Sequence, residues 1–121
     1  VKLAVITLTK GGLEKALEIK RHLKDTPIYT LGKYNDGKFK SLNGKLSDNI
    51  EYFFKNYDSL LFIMASGIVV RLIAKHIKDK RKDPAILVMD EGGAHIISLL
   101  SGHIGGANER AIYISKLIGA R

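Results

Sequence analysis

The sequence predicts an α/β fold, with three layers (α/β/α) built on a largely parallel sheet of about five strands, flavodoxin- or Rossmann-like in plan. Three observations predict it. Apolar runs rich in β-branched residues alternate with segments whose apolar residues recur at helical spacing. The runs are nearly continuous in hydrophobicity, as strands are when both faces are covered. Short turns carrying glycine or proline separate the segments, with no linker or low-complexity stretch between them.

Each element follows in order. Lys2 to Thr7 reads as the first strand, and Lys10-Gly11-Gly12 turns it into a helix marked by Leu13, Ala16, Leu17, Lys20 and Leu23. Asp25-Thr26-Pro27 ends that helix, because proline disfavours helical backbone in the residue before it. Ile28 to Leu31 is a short second strand. Between Gly32 and Lys45, Asn35-Asp36-Gly37 and Asn43-Gly44 are favoured turn sequences, so a loop or short hairpin is expected. Ser47 is the expected N-cap of a helix carrying Ile50, Phe53, Phe54 and Tyr57. Ser59 to Met64 is the most hydrophobic strand.

Ala65-Ser66-Gly67 then leads into Ile68 to His76, a helix apolar almost all round and therefore expected to be buried. A basic loop and Asp83-Pro84 precede the strand Ala85 to Met89, which ends at Asp90-Glu91. Gly92-Gly93 turns the chain into a short strand within Ala94 to Leu99, and Gly105 to Ile118 forms the last helix, with Ala107, Ala111, Ile114, Leu117 and Ile118 on one face. In a parallel sheet with right-handed crossovers, functional loops gather at the carboxyl ends of the strands. Three polar turns belong there: Thr7 to Gly12, Ala65 to Gly67, and Asp90 to Gly93.

Size and charge narrow the functions. The 121 residues make one domain able to bury a real core. A formal charge of +8 favours anionic ligands. Nucleic acid is not expected, because few aromatics interleave with the basic residues and no helix–turn–helix or stacking sheet is evident. The cluster from Lys75 to Lys82 reads as a solvated loop. With no cysteine, disulfides, thiolate metal sites and a cysteine nucleophile are excluded, and a cytoplasmic location is compatible. No apolar run approaches the ~20 residues of a membrane span, so no membrane association is expected.

The richest chemistry lies in Ser98 to Glu109, which joins two hydroxyls, an imidazole, three glycines, a carboxamide and a carboxylate. His103 is the acid–base candidate, since an imidazole titrates near neutrality. Ser98 and Ser101 suit an oxygen-rich ligand, and Gly102, Gly105, Gly106 and Asn108 allow close approach to the first amides of the last helix. The run is not a Gly-x-Ser-x-Gly elbow. Neither the Rossmann glycine fingerprint nor a Walker loop occurs in the chain. Arg71, in an apolar helix, needs a carboxylate, either a ligand or an internal partner such as Asp83 or Asp90. His22 reads as surface, His76 as a cation favoured near a helix C-terminus, and His95 with His103 shows no metal-ligand spacing, so no metal site is expected.

Phe62 to Arg71, Lys82-Asp83-Pro84-Ala85, Val88-Met89-Asp90-Glu91 and Ser98 to Asn108 stand in an order and spacing that resembles the cobalamin-biosynthesis protein G family. Ser66 and Met89 depart from it only in being other small or apolar residues. The resemblance covers essentially the whole chain and implies a single domain, 1–121, similar to the amino-terminal part of a longer multidomain protein. It also implies a cobalt-precorrin-5A hydrolase of the anaerobic corrin pathway, which opens the δ-lactone of an anionic cobalt-tetrapyrrole and releases acetaldehyde to give cobalt-precorrin-5B. The alternative is a non-catalytic tetrapyrrole-binding domain of that pathway. Under the resemblance the cobalt travels with the substrate, so no cofactor of the protein's own is expected. His103 would activate water or shuttle a proton, with Asp90 or Glu91 orienting it or serving as a second acid–base group. Ser66, Gly67, Arg71, Ser98, Ser101, Gly102, Gly105, Gly106 and Asn108 would bind substrate. The expected partners are the substrate and the other domains of the full chain, with a homodimer left open.

Overall fold

A computed structural model describes residues 2–79, 82–100 and 107–119. Its sheet has six strands: β1 (Leu3–Thr7), β2 (Ile28–Thr30), β3 (Lys40–Ser41), β4 (Ser59–Ile63), β5 (Ala85–Met89) and β6 (Ile96–Leu100). The spatial order is β3-β2-β1-β4-β5-β6. All neighbours are parallel except β5 and β6, which are antiparallel. The helices are α1 (Lys10–His22), α2 (Ile50–Asn56), α3 (Ser66–Ile73) and α4 (Ala107–Ile118).

The continuous hydrophobicity of the strands is explained by two cores, one on each side of the sheet. Leu61, Ile63, Leu87 and Met89 join Leu13, Ala16 and Ile19 of α1 and Ala107, Ala111 and Ile114 of α4. Leu60, Phe62, Ile86 and Val88 join Ile50 and Phe53 of α2 and Val69 and Ile73 of α3. Alternate side chains of each strand therefore enter opposite layers, which gives the expected three-layer α/β/α arrangement.

Four expectations change in detail. The Gly32–Lys45 stretch is not a hairpin: after a 3-10 turn at Gly32–Tyr34, Lys40 and Ser41 pair in parallel with Tyr29 and Thr30, adding an edge strand. Ser47 is not an N-cap, because a 3-10 turn already runs over Leu46–Asn49 and the Asp48 carboxylate accepts the Lys45 N–H at 3.0 Å. The sixth strand takes the sheet beyond the five expected. Finally, the apolar helix is half covered. Val69 and Ile73 are buried, but Ile68 is 43% and Val70 50% exposed, because α3 packs with one face and no element covers the other among the described residues.

Candidate active site

The sheet order creates the site. From β1 the chain crosses through α1 on one face to β2, and from β4 it crosses through α3 on the other face to β5. The loops leaving the adjacent ends of β1 and β4 diverge, and a crevice opens at such a switch point. A cleft of about 570 Å³ lies there. Leu8 and Thr9 line it from the end of β1, Met64, Ala65, Ser66 and Ile68 from the end of β4, and Val88, Asp90, Glu91, His95 and Ile97 from the β5–β6 hairpin. The three polar turns expected on one edge do meet.

Asp90 closes that hairpin. Its carboxylate accepts the N–H of His95 at 2.8 Å and that of Ala94 at 3.3 Å, and its carbonyl accepts the Gly93 N–H at 2.9 Å. The His95 N–H above all, helped by that of Ala94 and opposed by partial desolvation, holds the carboxyl below the ordinary aspartate range. Both oxygens are thus engaged in shaping the turn. Gly93 has φ +70°, a left-handed conformation suited to glycine, and the alkyl chain of Lys15 packs where a β-carbon would be.

Glu91 points the other way. A β-carbon built on Gly11 would lie 3.4 Å from Glu91 Oε2, so the carboxylate rests over the first turn of α1. Thr9 caps this helix, accepting the Gly12 N–H at 3.0 Å, and the remaining amide dipoles favour a negative charge beside them. Gly12 is there for space, since a β-carbon on it would collide with Oγ1 of buried Thr7.

The other site candidates are spread out. Ser66 opens α3 and lines the cleft, and Gly67 beside it faces open space. Arg71 is exposed, with no ion-pair partner among the described residues. Its two expected internal partners are engaged elsewhere: Asp83 accepts the backbone N–H groups of Lys78 and Asp79, and Asp90 serves the hairpin. Ser98 pairs with Leu87, on the face covered by α4, and its buried hydroxyl has no hydrogen-bond partner. Exposed Asn108 sits in the first turn of α4, outside the cleft lining. Ser101, Gly102, His103, Gly105 and Gly106 lie outside the described residues. Leu100 pairs with Ile86, beside the first residue of β5, so the chain leaves β6 at the edge of the sheet opposite Asp90 and Glu91.

His95 is a lining residue that the sequence reading did not place. Six residues between Met89 and Ile96 are too few for a parallel crossover, and that spacing alone implied a hairpin that returns His95 to Asp90. Among the described residues no group of three or more His, Asp or Glu side chains could hold a metal ion, and no helix is long and apolar enough to cross a membrane.

The family described as Cobalamin synthesis G N-terminal matches residues 48–121. The chain belongs to this family. The matched segment contains α2 to α4 and so the β4, β5 and β6 walls of the cleft. The chain is 40% identical over 111 residues to the cobalt-precorrin-5A hydrolase of Priestia megaterium, covering 88% of this chain and 30% of that protein. It is 40% identical over 118 residues to the cobalt-precorrin-5A hydrolase of Salmonella typhimurium strain LT2, covering 98% of this chain and 33% of that protein. This member of the Cobalamin synthesis G N-terminal family thus spans about a third of the length of the curated relatives it matches. Its fold matches the crystal structure of a cobalamin biosynthesis protein G homolog from Sulfolobus solfataricus with a TM-score of 0.73 and 28% identity, over 98% of this chain and 35% of that one.

Proposed function

We propose that this chain is the amino-terminal domain of a cobalt-precorrin-5A hydrolase, acting with the other domains of its full chain in the anaerobic, cytoplasmic route to cobalamin. The reaction is the hydrolytic opening of the δ-lactone of cobalt-precorrin-5A, with release of acetaldehyde to give cobalt-precorrin-5B. The observation that carries the proposal is 40% identity, across nearly the whole chain, to two proteins of that name.

The cleft supports it chemically. It is open, has apolar walls that suit one edge of a macrocycle, and holds a carboxylate, Glu91, that no described cation neutralises. In this proposal Glu91 takes a proton from the attacking water, Asp90 holds the hairpin that presents it, and Ser66 and Gly67 at the start of α3 receive substrate oxygen. Arg71 and Asn108 bind peripheral carboxylates of the substrate. His103 is the second proton-transfer group, and Ser101, Gly102, Gly105 and Gly106 complete the substrate contacts, whereas Ser98, on the face covered by α4, stands behind the cleft wall. Cobalt belongs to the substrate.

The experiment is acetaldehyde release from cobalt-precorrin-5A by the full chain, and by its His103→Ala and Glu91→Gln variants. Both variants are expected to lose turnover by 100-fold or more, in line with removal of a general acid or base, roughly 10²–10⁴-fold. Undiminished turnover in either variant removes that residue from the mechanism. A second reading, a tetrapyrrole-binding domain with the chemistry elsewhere, is favoured by the chain's one-third span of its relatives. Turnover surviving both substitutions, with weakened substrate binding, would select it.

A further inference from the structure

We propose that Glu91 sorts substrate from product by charge, so that the cleft admits the uncharged lactone edge of the macrocycle and expels the carboxylate formed there. The inference rests on the reading above, in which lactone opening takes place at this cleft.

The lining carries the argument. The chain as a whole is strongly basic, at +8, yet among the described residues no lysine or arginine lines the cleft. Leu8, Met64, Ile68 and Ile97 form apolar walls, and the fixed charges among them are the carboxylates of Asp90 and Glu91, with His95 the remaining titratable side chain of the described lining. Among the described residues neither carboxylate has an ion-pair partner. Asp90 keeps its charge because backbone N–H groups bind it, and Glu91 keeps its place because the first turn of α1 lies beneath it. A polyanion drawn by the overall charge therefore meets a locally negative pocket, and can enter only with an uncharged part of its edge.

The lactone is such a part. In its hydrolysis the oxygen of water bonds to the acyl carbon and the acyl–oxygen ester bond breaks. The departing alkoxide takes a proton, and the new acid gives one up. A neutral ester becomes an alcohol and a carboxylate where no charge stood before, beside Glu91. The alcohol then loses its hydroxyl proton and its carbon–carbon bond to the macrocycle breaks, the carbon leaving as acetaldehyde and the electron pair left on the ring taking up a proton. The carboxylate therefore remains in cobalt-precorrin-5B. Two carboxylates about 6 Å apart at an effective dielectric between protein and water repel enough to weaken binding roughly tenfold. Glu91 thereby separates a bound lactone from its own hydrolysis product, and drives release of the latter.

The test measures equilibrium binding of cobalt-precorrin-5B to the full chain by corrinoid absorbance, in wild type, Glu91→Gln, Glu91→Asp and, as a control of equal charge change on α2, Glu51→Gln. Glu91→Gln is expected to bind product roughly tenfold more tightly, Glu91→Asp and Glu51→Gln as weakly as wild type. The gap between Glu91→Gln and wild type should close as salt rises from about 0.02 to 0.5 M, because repulsion at an open cleft is screened. Equal or weaker product binding by Glu91→Gln overturns the inference, as does a gap indifferent to salt. If wild type releases no acetaldehyde from cobalt-precorrin-5A, the functional reading itself fails. If it does release it while Glu91→Gln binds product no better, only the charge-sorting inference fails.

Discussion

Gly12→Ala is the sharpest test of how α1 is seated against the sheet. The new β-carbon would collide with Oγ1 of Thr7 and lie 3.1 Å from its Cβ and 3.2 Å from Oγ1 of Thr9. Thr7 is fully buried at the end of β1, and its hydroxyl donates to the Ile63 carbonyl at 3.4 Å, so it has little room to yield. Overpacking of this kind costs about 1–3 kcal/mol. Displacing the Thr9 cap adds about 1 kcal/mol, and the better helix propensity of alanine returns about 1 kcal/mol. The expected net loss is about 2 kcal/mol, or roughly 8 °C in Tm for a domain of this size. The assay is urea unfolding of wild type, Gly12→Ala, Thr7→Ala and the double variant, followed by circular dichroism. Removing Oγ1 of Thr7 takes away the colliding atom, so the double variant should be more stable than the sum of the single losses predicts by about 1–2 kcal/mol. Losses that add to within ~0.5 kcal/mol would refute the packing argument.

Two further predictions concern ionisable groups. Asp90 has a folded pKa below its unfolded value, so its contribution is complete above the ordinary aspartate range and is lost as pH falls through the folded pKa. Asp90→Asn should therefore cost stability at pH 7, by about 1 kcal/mol or less because the group is open to solvent, and the difference from wild type should shrink as pH falls below the ordinary aspartate range. A difference that persists there would mean that the turn does not depend on the charge. Tyr29 is buried, and burial, then its 2.6 Å hydrogen bond to the Tyr57 hydroxyl, pushes its ionisation far above the ordinary tyrosine range. In an alkaline absorbance titration it should stay protonated after other tyrosines have ionised. Tyr57→Phe should cost about 1 kcal/mol while leaving Tyr29 the last to titrate. Simultaneous ionisation of all tyrosines in the folded protein would contradict this.

The α/β plan was legible because strands such as Leu60-Leu61-Phe62-Ile63 feed two cores at once and so cannot alternate in polarity. The meeting of Thr9, Ser66 and Glu91 followed from the parallel sheet alone. What composition could not reveal was long-range. Lys40 and Ser41 carry no strand signature, and only the edge offered by Tyr29 and Thr30 makes them β. The apolar surface of α3 looked like core because Ile68 and Val70 are as hydrophobic as Val69 and Ile73. Periodicity records which residues are apolar, not whether a neighbour exists to cover them. Asp90 was read for its chemistry, while its backbone-binding role appears only when the hairpin brings Ala94 and His95 onto it.

The antiparallel return of β6 makes the chemistry of the cleft a matter of counting. Ile97 stands opposite Val88 and faces the cleft, whereas Ser98 stands opposite Leu87 and faces the helices. Because side chains alternate from one residue to the next, deleting a single residue between Glu91 and His95 would bring Ser98 opposite Val88, setting a hydroxyl where a hydrocarbon now stands, whereas inserting one would bring Ile96 there and keep the wall apolar. A relative with a hairpin one residue shorter, and serine at the position of Ser98, would then present a polar wall to the same ligand. Loop length at this turn is thus a switch with two positions, through which a lineage could alter what its cleft accepts without changing a residue that touches it.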